Sequence, residues 1–143
     1  MTRMNDDSPL LDKLAIREIK PTAMRLLILR TMMKAGRALS LVDIVDLLET
    51  VDKSTVSRTL SLFLSHHLVH TIDDGSGALK YAVCGDGSAT EVDELHVHFF
   101  CTQCRRTFCL RGLPVPLVHL PAGFSLSSVN YVMKGVCADC RRQ

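Results

Sequence analysis

Two short cysteine pairs, Cys101-Thr-Gln-Cys104 and Cys137-Ala-Asp-Cys140, constrain this chain more than any other feature. A two-residue gap lets both sulfurs of a pair face one ion, and four thiolates make a closed tetrahedral zinc site with Zn–S distances of about 2.3 Å. A closed site has no open position for chemistry, so it staples a fold and does not catalyse. The stretch between the pairs is longer than that of a short zinc finger and must form a sheet whose ends the metal joins. A redox role, the usual reading of one isolated CxxC, is weakened by the second pair and by the lack of a parallel βαβ pattern.

With 143 residues and 47% hydrophobic composition, the chain can bury one core, or two small ones that need a staple. Residues 1–10 carry no apolar signal-peptide stretch, and no apolar run approaches the roughly 20 residues of a membrane span. The expectation is a cytoplasmic protein without a membrane partner, in which six cysteines serve as metal ligands or reactive thiols rather than disulfides. A net charge of +2 is too small to imply nucleic acid by itself. Its distribution says more: Lys20, Arg25, Arg30, Lys34 and Arg37 fall in a stretch, residues 19–42, with no acid.

Residues 22–34 have the apolar density of a buried helix, with Gly36 placed as its C-cap. Ser40 and Asp43 are spaced as a capping pair for a second helix, whose inward stripe is Leu41, Ile44, Val45 and Leu48. Only residues 49–52 separate it from a third helix over 54–66, with Val56, Leu60, Phe63 and Leu64 facing inward. Two amphipathic helices with so short a turn match a helix-turn-helix. Strand-like runs at 68–72 and 79–83 flank a Gly- and Asp-rich turn, which completes a winged-helix pattern. The fold class is therefore α+β, with domain 1–83, a hinge at 84–94 and a zinc-stapled unit at 95–143. Strands are expected there at 96–101, 107–110, 124–128 and 131–136, while Pro114, Pro116 and Pro121 exclude a long helix.

Four segments in this order resemble the ferric uptake regulator (Fur) family of metal-sensing repressors, which includes zinc-sensing (Zur), iron-sensing and peroxide-sensing branches. They are Lys20-Pro-Thr-Ala-Met-Arg25, Ser54-Thr-Val-Ser-Arg-Thr-Leu60, His96-Val-His98, and Gly135-Val-Cys-Ala-Asp-Cys140. The resemblance implies an N-terminal winged-helix domain, a C-terminal α/β dimerisation domain, and a homodimer whose affinity for double-stranded operator DNA changes with bound metal. It implies a regulator and not an enzyme.

A recognition helix reads base edges near its N-terminus while basic groups neutralise phosphates. The candidates are Lys53, Ser54, Thr55, Ser57, Arg58 and Thr59, with Lys20 and Arg25 as backbone or minor-groove contacts. Arg58 is able to pair with guanine or hold a phosphate, and sequence does not choose. Where the family usually has Tyr this chain has Ser57, which removes an aromatic contact and points to a different target preference.

His96 and His98 alternate on an expected strand, so both rings emerge on one face as two ligands of one metal. The resemblance adds Cys109, where the family commonly has Glu, and, from the wing, Cys84 and His70. A set of His70, Cys84, His96, His98 and Cys109 is rich in nitrogen and sulfur, which favours Zn2+ over Fe2+ as the second, regulatory cation. Iron, haem or peroxide sensing by the same architecture stays open, as more remotely do a small zinc enzyme and an interaction module with no DNA role. The accessory site of some relatives needs polar ligands where this chain has Leu95 and Val97, and is expected to be missing. His66, His67 and His119 have no convergent partners in the sequence.

Overall fold

The computed structural model describes residues 7–84, 97–110, 112–116, 118–127 and 129–142. Of the expected hinge at 84–94 only Cys84 is among them; residues 85–94, Leu95 and His96 lie outside. Helix α1 (Ser8–Ile16) starts with a proline in its first turn, where a missing N–H costs nothing, and buries Leu14 completely. Helix α2 (Ala23–Ala35) is capped by Thr22, whose hydroxyl accepts from the Arg25 N–H at 3.2 Å, and ends at Gly36 with φ +64°. Strand β1 (Leu39–Ser40) leads into α3 (Leu41–Leu48) through the expected reciprocal cap: the Ser40 hydroxyl accepts from the Asp43 N–H at 3.1 Å, and the Asp43 carboxylate accepts from the Ser40 N–H at 3.0 Å. Helix α4 (Lys53–Ser65) follows, and then the hairpin β2 (Val69–Ile72) and β3 (Lys80–Val83).

Leu14, Ile28, Leu29, Ile44, Val56, Leu60 and Phe63 form one core beneath these helices. The three-stranded sheet runs β1-β3-β2, antiparallel throughout, so helix-turn-helix and wing share a hydrophobic face as the periodicity predicts. Leu64 differs from expectation and is 40% exposed. It lies a helical step of about 100° beyond Phe63, off the stripe formed by Val56, Leu60 and Phe63.

The second sheet contains β4 (Val97–Cys101), β5 (Thr107–Leu110) and β6 (Val132–Gly135), in the order β5-β4-β6. Its β4–β5 pairing is antiparallel, whereas β4 and β6 run parallel with Cys101 opposite Gly135. A side chain at Gly135 would meet the tip of the Phe99 ring at 3.0 Å, so glycine there lets the ring lie close without shifting. The short helix α5 (Ala138–Arg141) closes the chain. Residues 124–127, expected as a strand, are irregular; Phe124 and Leu126 are exposed, and no strand among the described residues pairs with them.

The two sheets are joined directly. Thr107 of β5 accepts a backbone hydrogen bond from the Ala38 N–H at 2.9 Å, and Ala38, Ile72 and Ala82 form a small core covered by Cys109 and Val132. Beside it, Lys80 Nζ sits 2.8 Å from Asp74 Oδ2, with both side chains almost wholly buried. Burial works against ionisation of Asp74, but hydrogen bonds from Lys80, Ser76 and Thr107 outweigh it and hold the carboxyl well below its usual range.

Helix α1 escaped the sequence pattern, although it contributes one of the most buried side chains. Replacing Leu14 by Ala is expected to cost about 3 kcal/mol in urea unfolding. A change under about 1 kcal/mol would show that α1 does not belong to the cooperative core.

Candidate functional site

The parallel register of β4 with β6 brings the two CxxC turns to the same end of one sheet. Their four sulfurs lie within 4.8 Å of one another. Cys101 and Cys140 are 3.7 Å apart and Cys104 and Cys137 are 3.8 Å apart. A tetrahedron with metal–sulfur arms of about 2.3 Å has edges of about 3.8 Å, so these two spacings match the edges of a tetrahedral site.

The surroundings also favour it. Burial disfavours a Cys101 thiolate, yet N–H groups of Cys104, Cys137 and Gln103 aimed at the sulfur bring its pKa down to about 6. The Cys104 and Cys137 N–H groups lie 3.4 and 3.3 Å from Cys101 Sγ. Burial and the neighbouring thiols, including the negative Cys101, push Cys140 up to about 12. Four thiolates this close repel one another, and a cation at their centre removes the conflict.

A second cluster forms where the sheets meet. The Nε2 atoms of His70 on β2 and His98 on β4 are 3.4 Å apart, and Cys109 on β5 completes a group with all ligand atoms within 4.8 Å. Two imidazole nitrogens bound at about 2.0–2.1 Å in a tetrahedral site are separated by about 3.4 Å, which again matches. Cross-strand pairing of His98 with Cys109 explains their proximity. Cys84 joins from the end of β3: its sulfur lies 3.4 Å from His70 Nδ1, on the ring nitrogen not directed at His98. Such a contact orients an imidazole and selects its tautomer. The structure therefore gathers His70, Cys84, His98 and Cys109, and leaves His96 outside the described residues.

On α4, Lys53, Ser54, Ser57 and Arg58 are exposed and Thr55 is half-buried. Thr59 turns inward, 8% exposed, and its hydroxyl donates to the Thr55 carbonyl at 2.9 Å, so the chain does not present it to a duplex. Lys20 is exposed, while Arg25 is half-buried and donates from Nη1 to the Lys20 carbonyl at 2.7 Å. Other members of the basic run are also engaged: Arg30 pairs with Asp7, and Arg37 lies 3.9 Å from Asp43. His66, without a partner in the sequence pattern, meets the Arg17 carbonyl through Nδ1 at 2.9 Å, where it ties α4 to the end of α1.

Residues 17–112 match the model of the ferric uptake regulator family. The chain belongs to that family. Solved structures with the same fold include a zinc uptake regulator complexed with zinc and DNA, 22% identical with a TM-score of 0.68, the match covering 97% of each chain. The Helicobacter pylori ferric uptake regulator, described as having three functional metal-binding sites, is 16% identical with a TM-score of 0.59 over 99% of this chain and 97% of its own. The iron-bound regulator of Francisella tularensis is 20% identical, with a TM-score of 0.57 over 86% of this chain and 95% of its own. No curated protein matches the chain. As a Fur-family protein it is a metal-responsive DNA-binding regulator and not an enzyme, and no helix among its described residues is long and apolar enough to cross a membrane.

Sequence reasoning missed the contribution of Asp52 to α4, although an Asp before Lys-Ser-Thr is an N-cap signal. Its carboxylate accepts from the Thr55 N–H at 3.0 Å, and the Thr55 hydroxyl and then this N–H hold its pKa below the usual 3.8. A depressed folded value means that the cap's contribution is complete above 3.8 and fades as pH falls through the lower folded value. Asp52→Ala is expected to lower the urea midpoint at pH 7 and to differ less from the parent protein as acid protonates Asp52. A gap that is unchanged at pH 2 would contradict this.

Proposed function

We propose that this Fur-family chain is a zinc-responsive repressor of metal-uptake genes, acting in the cytoplasm as a homodimer on operator DNA. The assignment places a structural Zn2+ on Cys101, Cys104, Cys137 and Cys140. It places a regulatory cation on His70, His98 and Cys109, together with His96 from the adjoining segment and Cys84 as ligand or orienting neighbour. Residues 1–83 serve as the DNA-binding domain, 84–94 as the hinge and 95–143 as the dimerisation domain.

One observation carries the regulatory reading: the 3.4 Å approach of His70, from the winged-helix sheet, to His98, from the other sheet. A cation at this point would supply bonds that span both halves of the chain. Such bonds favour one placement of the recognition helices over others. Coupling requires tighter metal binding in the DNA-competent arrangement, and a hundredfold effect corresponds to about 2.7 kcal/mol. The donor chemistry supports zinc, because thiolate and imidazole suit it better than Fe2+ or Mn2+, which favour carboxylate oxygens. The exposed Lys53, Ser54, Ser57 and Arg58 support α4 as the groove-reading element, with Lys20 and Arg25 near the backbone. Thr55 offers its methyl from a half-buried position, and Thr59 supports the helix from within. Homodimerisation is supported by apolar side chains left bare on the C-terminal half, among them Val118, Phe124, Leu126 and Met133.

Titration of protein carrying only the structural metal with Zn2+, Fe2+ and haem, read by fluorescence anisotropy on a duplex selected from a random pool, tests this assignment. Zinc is expected to raise affinity at least about tenfold, with binding that weakens steeply in salt as phosphate contacts release counterions. His98→Ala is expected to remove the zinc response, and an unchanged response would refute the regulatory site. A response to Fe2+ or haem alone would reassign the signal within the same architecture. Cys104→Ser is expected to lose tightly held zinc and the dimer in native mass spectrometry. A variant with all four cysteines replaced that retains fold and dimer would remove the structural-zinc assignment.

A further inference from the structure

Asp74, Lys80 and Thr107 form a buried polar group that links the two sheets and belongs to neither metal cluster. Thr107, fully buried on β5, donates its hydroxyl hydrogen to Asp74 Oδ2. The same oxygen receives Lys80 Nζ at 2.8 Å, and Nζ also lies 3.4 Å from Thr107 Oγ1. The other carboxylate oxygen accepts from the Ser76 N–H at 2.9 Å. Lys80 further lies 5.6 Å from the centre of the Phe100 ring on β4. Every charge is therefore answered, on one side by the β2–β3 hairpin and on the other by β4 and β5.

A buried ion pair contributes little net stability compared with apolar packing, but a broken one is costly, so its value lies in specifying one arrangement. Its position relative to the regulatory cluster is informative. Lys80 pairs with Ile72, and His70 lies two residues before Ile72 on β2, so strand alternation places Lys80, Ile72 and His70 on one sheet face. Thr107 and Cys109 share a face of β5 by the same rule. The polar group thus joins the sheets about 7 Å, two strand residues, from the point where His70 meets His98 and Cys109. Backbone pairing of Ala38 with Thr107 reinforces the junction at the same residue.

We propose that Asp74, Lys80 and Thr107 are positioning residues for the regulatory cation: a metal-independent latch that docks the wing onto the second sheet and preforms the His70, His98 and Cys109 site. The inference rests on the assignment of that cluster as the regulatory site. Preformation spares the cation the cost of ordering two sheets and tightens its binding without any contact from the latch.

The test is a competitive zinc titration against a chromophoric chelator, using full-length protein with the four-cysteine site filled. Thr107→Val removes the hydroxyl and nearly preserves shape, whereas Thr107→Ser keeps it. Loss of a hydrogen bond to a buried charge is expected to weaken the second zinc equivalent about tenfold or more in Thr107→Val. Thr107→Ser is expected to stay within about twofold, and both variants should retain the first equivalent. If Thr107→Val does not fold, Asp74→Asn replaces it and is read in the same way. Unchanged affinity in a folded Val or Asn variant, or equal loss in Val and Ser, would overturn the latch while leaving the site intact. Absence of a second equivalent in the parent protein, or its persistence unchanged in His98→Ala, would overturn the site assignment and the latch with it.

Discussion

The parallel pairing of β4 with β6 is the constraint on which the C-terminal half depends. It sets Cys101 opposite Gly135 and therefore carries Cys137 and Cys140 to the turn containing Cys104. Parallel neighbours cannot be joined by a tight hairpin, so a long connection must loop between them, and its closure costs entropy. Four sulfurs at tetrahedral spacing offset this cost once a cation holds them. The bare Gly135 leaves room for the Phe99 ring, which a side chain there would press against.

The second cluster depends on a different contact, that between sheets. His98 and Cys109 are cross-strand partners within one sheet, so their proximity costs nothing beyond folding that sheet. His70 belongs to the wing, and its approach to His98 requires the two sheets to dock. Among the described residues, docking is served by a small apolar patch, a backbone bridge, a satisfied buried ion pair and a hydrogen bond from Asn130 Nδ2 to the Asp73 carbonyl at 2.7 Å. A cation bound across this junction would add its bonds to these contacts.

The basic groups of the N-terminal half are likewise tied into the fold. The basic run from Lys20 to Arg37 looks like a continuous stripe in the sequence, yet Arg25 donates to a backbone carbonyl and Arg30 pairs with Asp7. These groups shape the approach to α2 as well as its charge. Helix α4 instead presents short polar residues with Lys53 and Arg58 at its exposed start.

Much of this was legible before any coordinates. Helical periodicity located α2, α3 and α4, the Ser40 and Asp43 spacing located a cap, and the two CxxC pairs located a tetrahedral site, because each is a local rule with a short physical range. Helix α1 and the irregular stretch at 124–127 were not legible, since a short amphipathic segment takes its conformation from what it packs against or pairs with. Sequence spacing pointed to the CxxC pairs and the His96 and His98 alternation, while the family resemblance added His70, Cys84 and Cys109. Only the tertiary structure decided that His70 meets His98, that Cys84 abuts the far side of the His70 ring, that Thr59 faces inward, and that Asp74, Lys80 and Thr107 join the sheets. These are contacts between segments far apart in the chain, and no local periodicity encodes a distance between two separately folded faces.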